Sequence, residues 1–370
     1  MLEEFDYDRH LRRYLRSDPL KNPIVVMIER KAVALVSGGL DSMLAVRVVQ
    51  DQGIHVEGLN FFTGFCVEGH THAIRKHAKP KRNNALWVAE RLGVKLHFVD
   101  VVEDYRAVVL NPQYGYGANL NPCLDCKIFM VRRAHEWMRE HGFDFIVTGE
   151  VVGQRPKSQR RDTLPIVQDD SGAGDLLLRP LCAKRLSPTL PEREGWVKRE
   201  RLLDFSGRSR KPQMALAREY GLDDYAQPAG GCCFLTDAQY SAKLTDLWNN
   251  RGDRVYDLDD IMLLKVGRHI RPRPGFKVII AREEGEGRFL AGFRKRFVSL
   301  KTLSHGGPEA LIDGVVTDGD IELAARLMAR YGQGRDCTSV RVEVRDLAGA
   351  TRVFEVRPFT PQEIPGEWIL

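Results

Sequence analysis

Four of the seven cysteines fall in two tight pairs, Cys123 with Cys126 and Cys232 with Cys233. Two thiols spaced Cys-x-x-Cys can hold one metal or cluster, or close a redox disulfide. Cys126 opens an apolar-periodic run (Ile128, Phe129, Val131, Ala134, Trp137, Met138), so a helix is expected from Cys126 to about His141. A helix N-terminus favours thiolate, which suits either use. Adjacent cysteines rarely share one tetrahedral metal, so one of Cys232 and Cys233 is expected to join Cys123 and Cys126. The set then fits zinc or an iron–sulfur cluster with one iron left open.

A second stretch is suited to phosphate. Five apolar residues, Ala32 to Val36, run into Ser37-Gly38-Gly39-Leu40-Asp41-Ser42, and an apolar-periodic segment (Met43, Leu44, Val46, Val48, Val49) follows at once. This reads as a buried strand, a glycine turn and a helix start. Glycines let backbone N–H groups converge, and the helix start adds unpaired donors and partial positive charge. Ser37 and Ser42 add hydroxyls, and Asp41 can orient a phosphate-bound Mg²⁺.

The elements that position these groups alternate. Strands are expected at His55–Phe61, Lys95–Val101 and Phe145–Glu150, with a helix from Ala85 to Leu92 closed by Gly93. Strands separated by helices imply an α/β, doubly wound parallel sheet with ligands at its carboxyl edge. Further helices are expected near Met214–Tyr220 and over residues 236–250. Composition shifts near Arg251-Gly252-Asp253, giving an N-terminal extension (1–30), a main unit (31–250) and a smaller C-terminal α+β unit (251–370). In the last, strands are expected at Phe276–Ala281, Ser339–Val344 and Arg352–Val356, and a helix at Asp320–Tyr331.

Composition bounds the class. The 370 residues are 43% hydrophobic and 29% charged, a globular balance. No apolar run approaches the roughly eighteen residues of a membrane span, and the acidic, Arg-rich start is no secretory signal. A cytoplasmic protein without membrane contact is expected, which an odd cysteine count also favours over a disulfide framework. Net charge is +6, with basic clusters at residues 75–82, at Arg155, Lys157, Arg160 and Arg161, and from Lys198 to Lys211. Three such runs around a nucleotide site point to a polyanionic partner. Cys182 and Cys337 read as buried small residues. Cys66 follows the second strand near the site, and the histidines at 70, 72 and 77 read as part of an RNA-facing loop. Phe61 and Phe62 suit either adenine stacking or core packing.

Ser37-Gly-Gly-x-Asp41-Ser42 resembles the PP-loop of the ATP pyrophosphatase (adenine nucleotide alpha hydrolase-like) superfamily, whose members split ATP into AMP and pyrophosphate. Cys123-Leu-Asp-Cys126-Lys-Ile-Phe-Met, Thr148-Gly149-Glu150-Val-Val-Gly-Gln154 and Arg179-Pro180-Leu181 resemble tRNA 4-thiouridine synthetases. Asn121-Pro122 before the first thiol and Cys233-Phe234 resemble tRNA 2-thiouridylases. The resemblance implies ATP-dependent thiolation of a tRNA uridine through a Cys-ligated [4Fe-4S] cluster, with zinc as the alternative metal. It implies Asp41, Cys126, Cys232, Cys233 and Lys184 in catalysis, with Lys184 near the place of an adenylation lysine. It also implies ATP on Ser37, Gly38, Gly39, Asp41, Ser42, Thr148 and Gly149. The sulfur donor is free sulfide or a sulfur-carrier protein, and a homodimer is one assembly it allows. Two other classes stay open: an adenylating enzyme for a small molecule, and a zinc-stabilised RNA-binding protein. Asp260-Ile-x-Leu-Leu-Lys-Val-Gly-Arg-His269 resembles the RNA-binding domain of NFACT-type proteins.

Overall fold

The computed structural model describes residues 29–67, 83–222, 224–225 and 232–370. The N-terminal extension, the basic and histidine-bearing cluster within 68–82, and the Pro-Ala-Gly-Gly stretch before Cys232 lie outside the described residues.

The first unit is a five-stranded parallel sheet, β1 (Lys31–Leu35), β2 (His55–Phe62), β3 (Leu96–Asp100), β4 (Phe145–Val147) and β5 (Leu177–Leu178), in the order β3-β2-β1-β4-β5. Central β1 is apolar on both sides because both faces are covered. Ala32 and Ala34 face a core shared with α1 (Leu40–Gln50), α2 (Asn84–Leu92) and, past four intervening helices, a further helix at Lys211–Glu219. Val33 faces the opposite core, built on the long helix Cys123–Glu140.

Local chemistry sets the helix ends. The Asn83 side chain accepts from Ala85 N and Leu86 N to start α2, and Gly93, left-handed at φ +64°, ends it as expected. Following β3 come α3 (Val102–Leu110), absent from the sequence reading, and α4 (Cys123–Glu140). The latter starts three residues ahead of expectation, because Cys126 N already bonds the Pro122 carbonyl at 2.7 Å. Both thiols therefore sit on its first turn. Next in order are α5 (Thr163–Asp170), the single turn α6 (Leu190–Arg193), α7 (Lys211–Glu219) and α8 (Ala238–Arg251). The expected strand through Glu150 is shorter: after Val147 the chain leaves the ladder and bends past α1.

A short α9 (Leu258–Leu263) with an Asp257/Asp260 capping box leads into a six-stranded antiparallel sheet. Its strands are β6 (Arg268–Arg273), β7 (Phe276–Ile280), β8 (Val298–Thr302), β9 (Glu309–Gly314), β10 (Val340–Arg345) and β11 (Thr351–Val356), ordered β11-β10-β8-β9-β7-β6. Between β7 and β8 lies α10 (Glu284–Ala291), and α11 (Asp318–Arg330) packs its apolar stripe on one face of the sheet. Sequence pattern found three of these strands; β6, β8 and β9 escaped it.

One apolar cluster joins the halves. Phe65, Tyr105, Tyr240, Leu244, Trp248, Tyr256 and Ile261 are all buried together, and Tyr240 Oη donates to the Ile261 carbonyl at 3.0 Å. Asp246 of α8 in turn pairs with Arg271 of β6 at 2.7 Å. Among the described residues no helix is long and apolar enough to cross a membrane.

Candidate active site

The glycine turn after β1 is packed to its limit. Gly38 has φ +79°, and a Cβ there would meet Ala85 N at 2.6 Å. A Cβ on Gly149 would meet the backbone carbonyl carbon of Asp41 at 2.5 Å. Glycine at 149 thus lets the chain after β4 lie directly against the first turn of α1. Gly39 is the N-cap of α1 and brings no side chain to the first-turn amides, so these donors remain open to a ligand. The Ser42 hydroxyl is turned inward onto the Gly39 carbonyl at 2.8 Å, bracing the turn, whereas Ser37 is exposed. Asn60 of β2 donates to the Val36 carbonyl at 2.7 Å and fixes the strand end beside it.

Asp41 closes a chain of polar contacts. Gln213 Nε2 donates to Gln154 Oε1 at 2.8 Å, and Gln154 Nε2 donates to Asp41 Oδ2 at 2.6 Å. Arg210 reaches the same oxygen at 3.5 Å. The other oxygen, Oδ1, is buried and without a partner. Buried carboxylate oxygens are rarely left unpaired, so Oδ1 suits a cation or donor brought by a ligand.

Thr148 and Glu150 shape the floor. Thr148 Oγ1 donates to Glu150 Oε2 at 2.9 Å, and Arg179 Nε reaches the same oxygen at 3.1 Å, all three side chains buried. Burial opposes the Glu150 charge, but Arg179, Lys127 and the Thr148 bond outweigh it and hold the carboxyl below its usual range.

The thiols converge beside this network. Cys123 donates to Ser158 Oγ at 3.3 Å. Cys126 packs under Tyr105, which hydrogen-bonds it, and burial pushes its thiol up to about 12 against that bond and against Lys127. Burial likewise raises Cys233, with the neighbouring thiols Cys126, Cys232 and Cys66 adding to the effect. The helix start was expected to favour thiolate at Cys126; burial wins instead, outweighing the Tyr105 bond and Lys127.

Arg155 ties the two groups. Its Nη1 donates to Cys232 Sγ at 3.5 Å, and its charge is also felt by Cys123 and Asp41. Burial would weaken that charge, but the three partners hold the guanidinium protonated. The sequence reading placed Arg155 and Arg210 in RNA-facing basic runs, whereas both turn inward. Arg199 likewise pairs with Glu192, while exposed Arg201 donates to the Asp51 carbonyl at 2.8 Å.

Not every candidate joins the cluster. Lys184 is exposed, and its ammonium donates to the Glu200 carbonyl at 2.8 Å. Cys182 is buried as expected, its thiol on the Glu150 carbonyl at 3.2 Å, but Cys337 is exposed on the C-terminal unit, 3.5 Å from His305 Nε2. Phe61 packs into the core and Phe62 is half-exposed. Among the described residues no three His, Cys, Asp or Glu donors already stand at metal-ligand spacing. The donor chemistry itself, thiols only and converging from α4 and the chain before α8, suits a thiophilic metal or cluster.

Residues 30–192 match the family described as tRNA methyl transferase HUP domain, and residues 267–369 match the NFACT protein RNA binding domain. The tRNA-specific 2-thiouridylase MnmA of Pelobacter propionicus is 31% identical over 32% of this chain and 33% of its own length. That of Mesoplasma florum is 26% identical over 66% of this chain and 65% of its own length. The chain thus spans from one third to just under two thirds of these relatives. A crystal structure of a 4-thiouridine synthetase–RNA complex with bound ATP aligns over 52% of this chain and 41% of that one, at 22% identity and TM-score 0.36. The chain thus carries, in order, a segment similar to a tRNA methyl transferase HUP domain and a segment similar to the NFACT protein RNA binding domain.

Proposed function

We propose that the protein is an ATP-dependent tRNA sulfurtransferase that adenylates a uridine and replaces its carbonyl oxygen with sulfur. The observation that carries this reading is Arg155, whose guanidinium contacts Cys232 and is acted on by the charges of Cys123 and Asp41, which supports bringing phosphate chemistry and sulfur chemistry together. The first-turn amides of α1 and Gly38-Gly39 receive the ATP phosphates, and Asp41 Oδ1 meets the phosphate-bound Mg²⁺. The uracil oxygen attacks the α-phosphate and pyrophosphate leaves, because a bare carbonyl oxygen is a poor leaving group and AMP a good one. A sulfur nucleophile then adds at the activated carbon and AMP departs. Arg155 stabilises the charge that builds between the two steps. The target nucleotide leaves its stack to enter the cleft.

Cys123, Cys126 and one of Cys232 and Cys233 would hold a [4Fe-4S] cluster, which when bound supplies an open iron for an inorganic sulfur species; zinc is the competing occupant. Deprotonation of the ligating thiols would accompany loading.

The test separates the two half-reactions on unmodified tRNA. Asp41→Ala is expected to lower pyrophosphate release on the order of 100-fold. Arg155→Met is expected to retain most pyrophosphate release and lose thionucleoside. Pyrophosphate release independent of tRNA but dependent on a small acceptor would overturn the reading in favour of small-molecule adenylation.

A further inference from the structure

Cys66 lies opposite Cys233 in an isolated antiparallel bridge between the chain after β2 and the chain before α8. Two backbone bonds flank the pair: Val67 N donates to the Cys232 carbonyl at 3.3 Å, and Phe234 N to the Phe65 carbonyl at 2.9 Å. Since these bonds lie outside the pair rather than between its members, Cys66 and Cys233 form the closely spaced kind of opposed pair. Such residues have Cα atoms about 4.5 Å apart and side chains on one face. A disulfide needs Cα atoms roughly 4.4–6.8 Å apart, a range that opposed pairs of this kind fall within.

The surroundings suit reversible exchange. Cys66 Sγ is held only weakly, with Thr63 Oγ1 at 3.5 Å and the Phe61 carbonyl at 4.0 Å. Among the described residues, Cys233 Sγ accepts from Leu235 N at 3.4 Å. Neither residue is fully buried. Lys265, from the segment after α9, bonds the Gly64 carbonyl and lies 4.8 Å from the Phe234 ring centre, walling the pair on the side of the C-terminal unit.

We propose that Cys66 and Cys233 close a reversible cross-strand disulfide, a redox latch on the thiol cluster. The oxidant is a low-molecular-weight disulfide of the glutathione class. One thiolate attacks a sulfur of the oxidant, forming a mixed disulfide and releasing one thiolate. The partner thiolate attacks the mixed disulfide, forming the Cys66–Cys233 bond and releasing the second. The two protons of the protein thiols pass to the two released thiolates, and excess reduced thiol runs the steps backwards. With its sulfur engaged, Cys233 is withdrawn from metal or sulfur binding; only this consequence rests on the sulfurtransferase reading.

The full-length protein, reduced and metal-free, is incubated with oxidised glutathione, alkylated and digested with trypsin for mass spectrometry. A cross-link between peptide 48–75 and peptide 219–243 is expected, with loss of two of the seven free thiols. Cys232→Ser should keep the cross-link, whereas Cys66→Ser and Cys233→Ser should each abolish it. Dichroism and ATP binding of each variant confirm that it folds. Anaerobic iron and sulfide uptake should fall at least tenfold in the oxidised wild type and be spared in glutathione-treated Cys66→Ser. A Cys66 that stays fully alkylatable while Cys123–Cys126 oxidises, or a link that needs Cys232, overturns the proposal. If the cross-link maps as stated while no variant affects thiolation of tRNA, the latch stands and the assigned function fails.

Discussion

Asp41 and Cys126 both lie on the first turn of a helix that starts at the same edge of the parallel sheet, yet their charges are managed in opposite ways. Around Asp41 the protein has gathered Gln154, Gln213 and Arg210, leaving one carboxylate oxygen uncommitted. Around Cys126 it has gathered Tyr105 and other thiols, and burial keeps the sulfur protonated. Being at a helix N-terminus is thus not decisive. The local count of donors and cations against lost hydration decides whether an acid ionises. The first region is organised in advance for an anion and its cation. The second is organised for an electrophilic partner that displaces protons.

The contrast can be broken most forcefully at Glu150–Arg179, the buried pair beneath both regions. Arg179→Met strands a buried carboxylate and should cost about 3–5 kcal/mol in urea denaturation. Glu150 has a depressed carboxyl, so its contribution is present above the ordinary value of 4.5 and is lost as pH falls through the lower folded value. Stability of the wild type should therefore decline more steeply below about pH 4.5 than that of Glu150→Gln, measured by chemical denaturation at each pH. Equal acid slopes would mean that the pair does not carry the floor.

Gly149→Ala should come next, at about 1–3 kcal/mol, since the new methyl meets backbone rather than a mobile side chain. It should also weaken ATP binding in calorimetry more than Gly174→Ala, where a Cβ has open space around it. On the thiol side, iodoacetamide at pH 8 should label Cys126 at least tenfold more slowly than exposed Cys337 in reduced, metal-free protein, read by peptide mass spectrometry. Rapid labelling of Cys126 would erase the contrast. The smallest effect belongs to the antiparallel unit: Arg352→Ala breaks an exposed pair with Asp318 and should leave the melting temperature unchanged.

How far these regions could be read in advance follows from the range of their interactions. Ser37 to Ser42 was legible because strand, turn and helix lie within a dozen residues and each leaves a local mark. Gly93 and Asn83 announce the ends of α2 for the same reason. Convergence of Cys232 and Cys233 with Cys123 was not visible in spacing; it was expected because two thiols leave a metal site incomplete, and family likeness pointed the same way. Arg155, Arg210 and Gln213 looked like ordinary surface polar residues, because a side chain turned inward across more than fifty positions leaves no periodic trace. Tyr105 sits on α3, whose charged first turn masks its buried stripe. In the C-terminal sheet, Arg268–Arg273 carries three arginines and a proline, hiding a strand whose backbone pairs on one side with β7.

Tyr240, Ile261 and Lys265 make the far unit part of the wall around Phe65 and the adjacent cysteines. A chain cut at the compositional shift near residue 251 would therefore not release a smaller catalyst. It would open the pocket from behind and flood it with solvent. Conversely, whatever grips the antiparallel sheet tugs, through α9, on the carbonyl of Gly64, two residues from Cys66. The two units are in that sense closed along one shared apolar seam, and neither is a detachable accessory.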